Sequence, residues 1–324
     1  MRYYPRPMPR SALLVLLAFI VSSQAENVAR PGLVNAREEL VQLQIFLDQQ
    51  LFGPGKIDGR SGEFTTKALK RYQRAHGLPE TGVVDSNIPL DSVFPLYTEY
   101  VIVDADVERL GECPTKPAEQ SKKKALPYDS LLEFLTERFH SDPALLVKLN
   151  PGLNLERLKA GDSVRVPNVE PFKIEELPKQ GNLPKQPEFK DRVITVDRKE
   201  HMLELTEGDS LLAALPITPG SEILPTPEGK WRILGVSAQP TFRWDEGVLN
   251  HGVRTENYYN LPAGPNNPVG VMWVGLNKPG IGIHGTNNPQ TIGRAASHGC
   301  MRVANWDIIR LSKMITEGMT VVIK

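Results

Sequence analysis

Two kinds of hydrophobic pattern divide the chain. From Asn35 to about Ile88 apolar positions recur at helical spacing, and a mixed stretch of helical and strand patterning follows. Leu40, Leu43, Leu47 and Leu51, with Phe46 beside them, form one stripe; Phe64, Ala68, Leu69 and Tyr72 form another after the run Asp58-Gly59-Arg60-Ser61-Gly62. Intervals of three and four put such side chains on one helix face, so two helices joined by a turn are predicted. Leu131, Leu132, Leu135 and Phe139 predict another helix, Pro143 to Leu149 a short one stopped by Asn150-Pro151-Gly152, and Ser163 to Asn168 an alternating strand. Tyr100 to Val107 reads as a strand, and Cys113 to Leu126, rich in Pro, Lys and Gln, as a loop.

Beyond residue 190 the period changes. Val193 to Val196, Leu203 to Leu205 and Leu211 to Ile217 are short apolar runs separated by turns such as Glu207-Gly208-Asp209, which is hairpin patterning. At the end, Asn305 is read as the N-cap of a helix that turns Ile308, Leu311 and Ile315 inward. Gly318 would stop it before a strand over Thr320 to Ile323. Between the two halves, residues 170–190 hold four prolines and many charges without periodicity, which predicts an inter-domain linker. The expected fold class is therefore multidomain: a small all-α N-terminal domain, a small α+β segment, and a mainly-β C-terminal domain.

Composition adds the compartment. The chain has 324 residues, enough for two or three domains, and 38 basic residues balance 38 acidic ones; no basic field asks for nucleic acid. Arg2, Arg6 and Arg10 precede an apolar run from Ala12 to Val21, and Ser23-Gln24-Ala25 offers small residues where a signal peptidase reads. Residues 1–25 are thus expected to be a cleaved secretory signal, giving an exported protein of the periplasm or cell envelope. The run of about 10 residues falls short of the roughly 20 needed to span a bilayer, and no transmembrane span is expected in the mature chain. Two cysteines, Cys113 and Cys300, do not make a disulfide framework. No Cys, His or carboxylate cluster has metal-ligand spacing, so neither metal nor other cofactor is expected.

Chemistry concentrates in Ile283-His284-Gly285-Thr286 and Ser297-His298-Gly299-Cys300-Met301-Arg302. A free thiol is only a few per cent thiolate at neutral pH, so a reactive cysteine needs an imidazole to take its proton, and either His284 or His298 could do so. Ile281 and Ile283 read as a strand end presenting His284, and Gly299 lets a carbonyl approach backbone N–H groups. The alternative is that Cys300 packs as a small apolar residue.

The HGT and SHGC runs, with an arginine two residues after the cysteine, resemble the signature of the YkuD-type L,D-transpeptidases of bacterial peptidoglycan. The resemblance covers residues 191–324 and includes Pro225-Thr226-Pro227-Glu228-Gly229 and Gly264-Pro265-Asn266-Asn267-Pro268-Val269-Gly270. It implies Cys300 as nucleophile, His284 as general base and then acid, and the Gly285 carbonyl as the group fixing the imidazole tautomer. It also implies an oxyanion hole from the N–H groups of Gly299 and Cys300, Arg302 against a substrate carboxylate, and Ser297 and His298 in support. The implied reaction moves an acyl group from a stem tetrapeptide through a thioester to an amine, giving cross-links or attaching protein to the wall. The acceptor would be a diamino acid, a D-amino acid or an outer-membrane lipoprotein. An L,D-carboxypeptidase or amidase-type hydrolase, and a non-catalytic wall-binding scaffold, are the competing readings.

Residues 33–90 resemble a three-helix peptidoglycan-binding domain through Leu43-Gln44, Asp58-Gly59, Thr66, Ala68, Tyr72-Gln73, Gly77-Leu78 and Thr81-Gly82. Residues 98–169 resemble a LysM glycan-binding module, with an internal linker, through Leu149-Asn150-Pro151, Gly161-Asp162 and Val166-Pro167. These resemblances imply glycan strands and stem peptides as partners, and N-terminal modules that raise the local concentration of a catalytic domain able to work without them.

Overall fold

The computed structural model describes residues 36–294 and 297–324; the expected signal peptide, residues 1–25, lies outside the described residues. Helices α1 (Ala36–Gln49) and α2 (Glu63–Ala75) form where the apolar stripes are. Their glutamines explain the turns. Gln44 Oε1 accepts from the Asp58 and Gly59 N–H groups at 3.0 and 2.8 Å while its Nε2 donates to Asp58 Oδ1 at 2.9 Å. Gln73 does the same farther on, accepting from Gly82 N–H at 2.8 Å and donating to the Val83 carbonyl at 3.0 Å. Each amide satisfies loop backbone that would otherwise be buried without partners.

Next come β1 (Tyr97–Val101), the short helices α3 (Asp104–Val107) and α4 (Pro117–Gln120), then α5 (Leu131–Arg138), α6 (Pro143–Leu149) and β2 (Ser163–Pro167). Strands β1 and β2 pair antiparallel, Tyr97 opposite Pro167 and Val101 opposite Ser163. The strand expected to reach Val107 stops at Val101 because Asp106 Oδ2 accepts from Val103 N–H at 3.0 Å and Tyr100 OH at 2.7 Å, closing the turn of α3. Ser130 caps α5 and Asp142 caps α6, each side chain accepting a first-turn N–H.

The two N-terminal segments are not separate beads. One apolar cluster runs from Val41 and Phe46 of α1 through Leu69 of α2 to Phe134 and Leu135 of α5 and Val166 of β2, and it takes in Met202 and Ala214 of the C-terminal half. A second cluster fills the C-terminal half.

That half is a nine-stranded sheet: β3 (Gly181–Asn182), β4 (Val193–Asp197), β5 (Met202–Glu207), β6 (Ser210–Pro216), β7 (Gly229–Ala238), β10 (Met272–Leu276), β11 (Gly282–His284), β12 (Met301–Arg302) and β13 (Thr320–Ile323). Its order is β12-β11-β10-β7-β13-β4-β5-β6, with β3 on β7. The excursion between β7 and β10 carries β8 (Phe242–Trp244), α7 (Glu246–His251) and β9 (Tyr259–Leu261), with β8 and β9 paired. The expected linker of residues 170–190 is fastened down rather than free. Phe172 is buried, β3 pairs with β7, Leu183 N–H donates to the Val236 carbonyl at 2.7 Å and Gln186 N–H to Thr316 Oγ1 at 2.9 Å.

Helix α8 (Asn305–Ser312) joins the two halves. Ala304, not Asn305, stands at its N-cap, and it ends before Ile315. Its Arg310 grips Asp48 of α1 with Nη2 to Oδ1 at 2.9 Å and Nη1 to Oδ2 at 3.0 Å, and Trp306 stacks on His140, centroids 5.2 Å apart. This paired, buried Asp48 carboxyl is held well below the usual carboxylate range by Arg310 and His140 against the opposing cost of burial.

Candidate active site

Strand alternation gathers the candidate residues. β11 runs parallel to β12, with Ile283 beside Met301 and His284 beside Arg302, and antiparallel to β10, with Trp273 opposite His284. Val274, Ile283 and Met301 are all fully buried in the core cluster. Because successive side chains point to opposite faces, Trp273, His284, Cys300 and Arg302 share the other face. The residue at the mouth of β12 is Cys300, whose Sγ lies 3.3 Å from the Gly280 carbonyl and receives the Gly282 N–H. The sequence separates His284 from Cys300 by a loop; the parallel pairing of their strands closes that gap.

His284 is buried, and its Nδ1 lies 2.6 Å from the Gly285 carbonyl. A carbonyl can only accept, so Nδ1 carries the hydrogen and Nε2 of the neutral ring presents a lone pair. The Trp273 indole stacks on the imidazole, centroids 5.5 Å and planes 17° apart. The indole can lie there because its neighbours are glycines: a Cβ on Gly282 would meet Trp273 Cζ2 at 2.7 Å, and one on Gly275 would meet Nε1 at 3.0 Å. Burial and, to a lesser degree, the Arg302 charge hold the imidazole pKa down at about 4, against the tautomer-fixing Gly285 bond. Burial pushes the Cys300 thiol up to about 11, offset in part by Gly282 N–H and Arg302. At neutral pH the free site holds a thiol and a neutral imidazole, not an ion pair.

Ser297 is buried and its hydroxyl donates to the Cys300 carbonyl, while its N–H donates to the Pro219 carbonyl at 2.9 Å. Gly299 has φ +104°, a conformation that a side chain would strain. It turns the chain between His298 and Cys300. The His298 side chain is exposed, and partial desolvation and Arg302 lower its pKa. Arg302 is partly buried and, among the described residues, has no carboxylate partner. No group of three His, Cys, Asp or Glu side chains among the described residues could hold a metal ion.

Two participants escaped the sequence reading. Trp273 had a signal, a bulky aromatic alternating with glycine in a strand. Asn305 was read as a helix cap; instead its side chain turns back to the site. Its Oδ1 accepts the N–H groups of Val271 and Thr286, each at 3.2 Å.

A thiol on the same sheet face as a neutral, oriented imidazole of the neighbouring strand is the kind of site suited to acyl transfer through sulfur. Residues 191–323 match the family model of the L,D-transpeptidase catalytic domain, YkuD, and residues 36–88 that of the "Putative peptidoglycan binding domain". The "Putative L,D-transpeptidase YkuD" of Bacillus licheniformis is 30% identical over 190 residues, covering 59% of this chain and 91% of that protein. Its namesake from Bacillus subtilis is 29% identical over 192 residues, covering 59% and 92%. Among solved structures, an L,D-transpeptidase from Mycobacterium smegmatis superimposes with a TM-score of 0.35 at 17% identity, covering 41% of this chain and 58% of that one. The chain belongs to the L,D-transpeptidase family, with an N-terminal peptidoglycan-binding region. These two matched stretches do not include the second segment, residues 98–169.

Proposed function

We propose that the chain is a peptidoglycan L,D-transpeptidase of the cell envelope in which Cys300 is the nucleophile and His284 the acid–base group. The observation that supports this reading is the parallel pairing of β11 and β12, with His284 opposite Arg302 and Cys300 on the same face two residues earlier. The thiol proton passes to His284 Nε2 as Sγ bonds to the carbonyl carbon of a stem-peptide amide. Because the thiol pKa lies near 11 and the imidazole near 4, this transfer is uphill before attack and is drawn along by bond formation. The developing oxyanion meets the N–H groups of Gly299 and Cys300, on a loop that Ser297 pins. The C–N bond breaks, the leaving amine takes the proton from His284, and a thioester remains. An acceptor amine then attacks, His284 takes its proton and returns one to sulfur. Arg302 meets a substrate carboxylate, and exposed His298 lines the entry. The paired strands β1 and β2, with α5 and α6 following the short α3 and α4 between them, support a LysM-like glycan contact for residues 98–169.

Incubating the full exported chain with purified tetrapeptide muropeptides and reading products by mass spectrometry tests the proposal. Cross-linked or amine-exchanged products that vanish in Cys300→Ala are expected. Tripeptide products alone would show water as acceptor and replace the reading with a hydrolase; no product with sacculus binding retained would leave a wall-binding scaffold.

A further inference from the structure

The peptide that anchors His284 is held by a residue from outside the catalytic sheet. Glu137 of α5 is buried, and its Oε1 accepts the Asn305 Nδ2 hydrogen at 2.6 Å while Oε2 meets Tyr128 OH at 2.5 Å. An amide side chain can sit either way round. The carboxyl oxygen beside Asn305 forces its NH2 toward Glu137 and its Oδ1 toward the N–H groups of Val271 and Thr286. That oxygen is wedged between two glycines, since a Cβ on either Gly270 or Gly285 would lie 2.1 Å from it. Gly285 is the residue whose carbonyl fixes the His284 tautomer.

We infer that Glu137 is a positioning residue for the His284 imidazole, acting through the Asn305 amide, so that the second N-terminal module is part of the active site's framework. The inference rests on the proposed role of His284. A reversed or unanchored Asn305 would leave two buried N–H groups without acceptors and free the Gly285 peptide to rotate. The sheet alone carries the imidazole; the α5 carboxyl sets which nitrogen is bare. The first module also touches the loop between the two candidate catalytic residues: Lys56 Nζ donates to Gln290 Oε1 at 2.5 Å, and the Phe64 ring occupies the space a side chain on Gly293 would need. The strongest single link, though, is Glu137 to Asn305.

The test uses full-length Glu137→Gln, Glu137→Ala and Glu137→Met. Glutamine keeps an acceptor for Asn305 and meets Tyr128, whose hydroxyl donates to Glu137 Oε2 here, with an NH2 that the phenol oxygen can accept; alanine offers neither; methionine fills the volume without an accepting oxygen and remains informative if alanine's cavity unfolds the chain. Imidazole nitrogen NMR of His284 reads the tautomer directly, and steady-state turnover of muropeptides reads its consequence. Glutamine should keep the wild-type spectrum and turnover within about twofold. Methionine or alanine should show mixed tautomers and a kcat reduced by roughly ten- to a hundredfold at unchanged KM, as small misplacements of a catalytic group do. A wild-type His284 spectrum in a folded methionine or alanine variant overturns the inference, as does a glutamine variant as disturbed as methionine. Because the NMR readout needs no turnover, a wild-type enzyme inactive on muropeptides would refute the proposed reaction while leaving this question decided.

Discussion

Trp273 lies flat on His284, directly opposite it across the β10–β11 ladder, with 17° between the ring planes. An indole on one side of an imidazole denies water to its charged form, and burial is the largest cause of the depressed pKa near 4. Trp273→Ala is expected to raise the His284 pKa toward the ordinary 6.5 or so and to move the acidic limb of activity up with it. Proton NMR titration of the imidazole checks this. A pKa that stays put would assign the desolvation to other neighbours.

The thiol near 11 beside a neutral imidazole makes a second expectation. Alkylation of Cys300 by iodoacetamide in the free enzyme should be slow at pH 7 and climb steadily with pH, without a plateau between pH 5 and 9. A plateau with an inflection near neutrality would mean a resting thiolate–imidazolium pair. Acylation by a carbapenem, which brings its own electrophile, should add one covalent adduct that is absent in Cys300→Ala. That variant should melt within a few degrees of wild type, since the lost sulfur costs about 1 kcal/mol.

The proposed site is legible in the sequence as a candidate because its parts are local. His284-Gly285 and Ser297-His298-Gly299-Cys300 each carry their own glycine and turn chemistry. Helices α1, α2, α5 and α6 were legible for a similar reason, as apolar stripes of period 3.6. Contacts between distant segments were not. Nothing in the prolines of residues 170–190 says that β3 will seal an edge of β7, and nothing near Asn305 names Glu137, 168 positions away, as its partner. Asn305 misled because a helix start and a buried amide look alike in one dimension; only the arrival of two backbone N–H groups distinguishes them.

Asp48 and Arg310 decide whether the catalytic sheet can stand alone. Their two-pronged ion pair joins α1 to α8 with the Asp48 carboxylate fully buried, and removing the arginine leaves that carboxylate with His140 as its one remaining partner among the described side chains. Arg310→Met should destabilise the full chain by about 3–5 kcal/mol, seen as a lower urea midpoint. A chain starting near Lys190 loses Asp48, His140 and Glu137 together, leaving Trp306 and Arg310 uncovered. It should be largely aggregated and inactive on soluble muropeptides, against the sequence expectation of an independent catalytic domain. Full activity in that truncated chain would show that the interface is dispensable.

Glu137 also links stability to pH, in a direction opposite to most carboxylates. Burial raises its pKa to about 8, with the neighbouring Glu133 adding to the rise while Tyr128 and Asn305 pull the other way. Tyr128 is itself raised well above its ordinary range, so it stays neutral here. Below the ordinary value for glutamate, near 4.3, both folded and unfolded chains hold the proton and the group contributes no pH dependence. Between there and about pH 8 the unfolded chain has released a proton that the folded chain keeps, so stability falls as pH rises. Above pH 8 the folded chain carries a buried anion and the loss is complete, on the order of a few kcal/mol. Glu137→Gln copies the neutral acid and cannot titrate. Urea unfolding of the two proteins should give similar stabilities near pH 4.5, then a gap in favour of the glutamine variant that widens to pH 8 and stays constant beyond. Asp48 does not confuse the comparison, because its depressed pKa acts only as pH falls through the acid range and is common to both proteins. A gap that is the same at pH 5 and pH 8.5 would mean that Glu137 is already ionised in the folded chain.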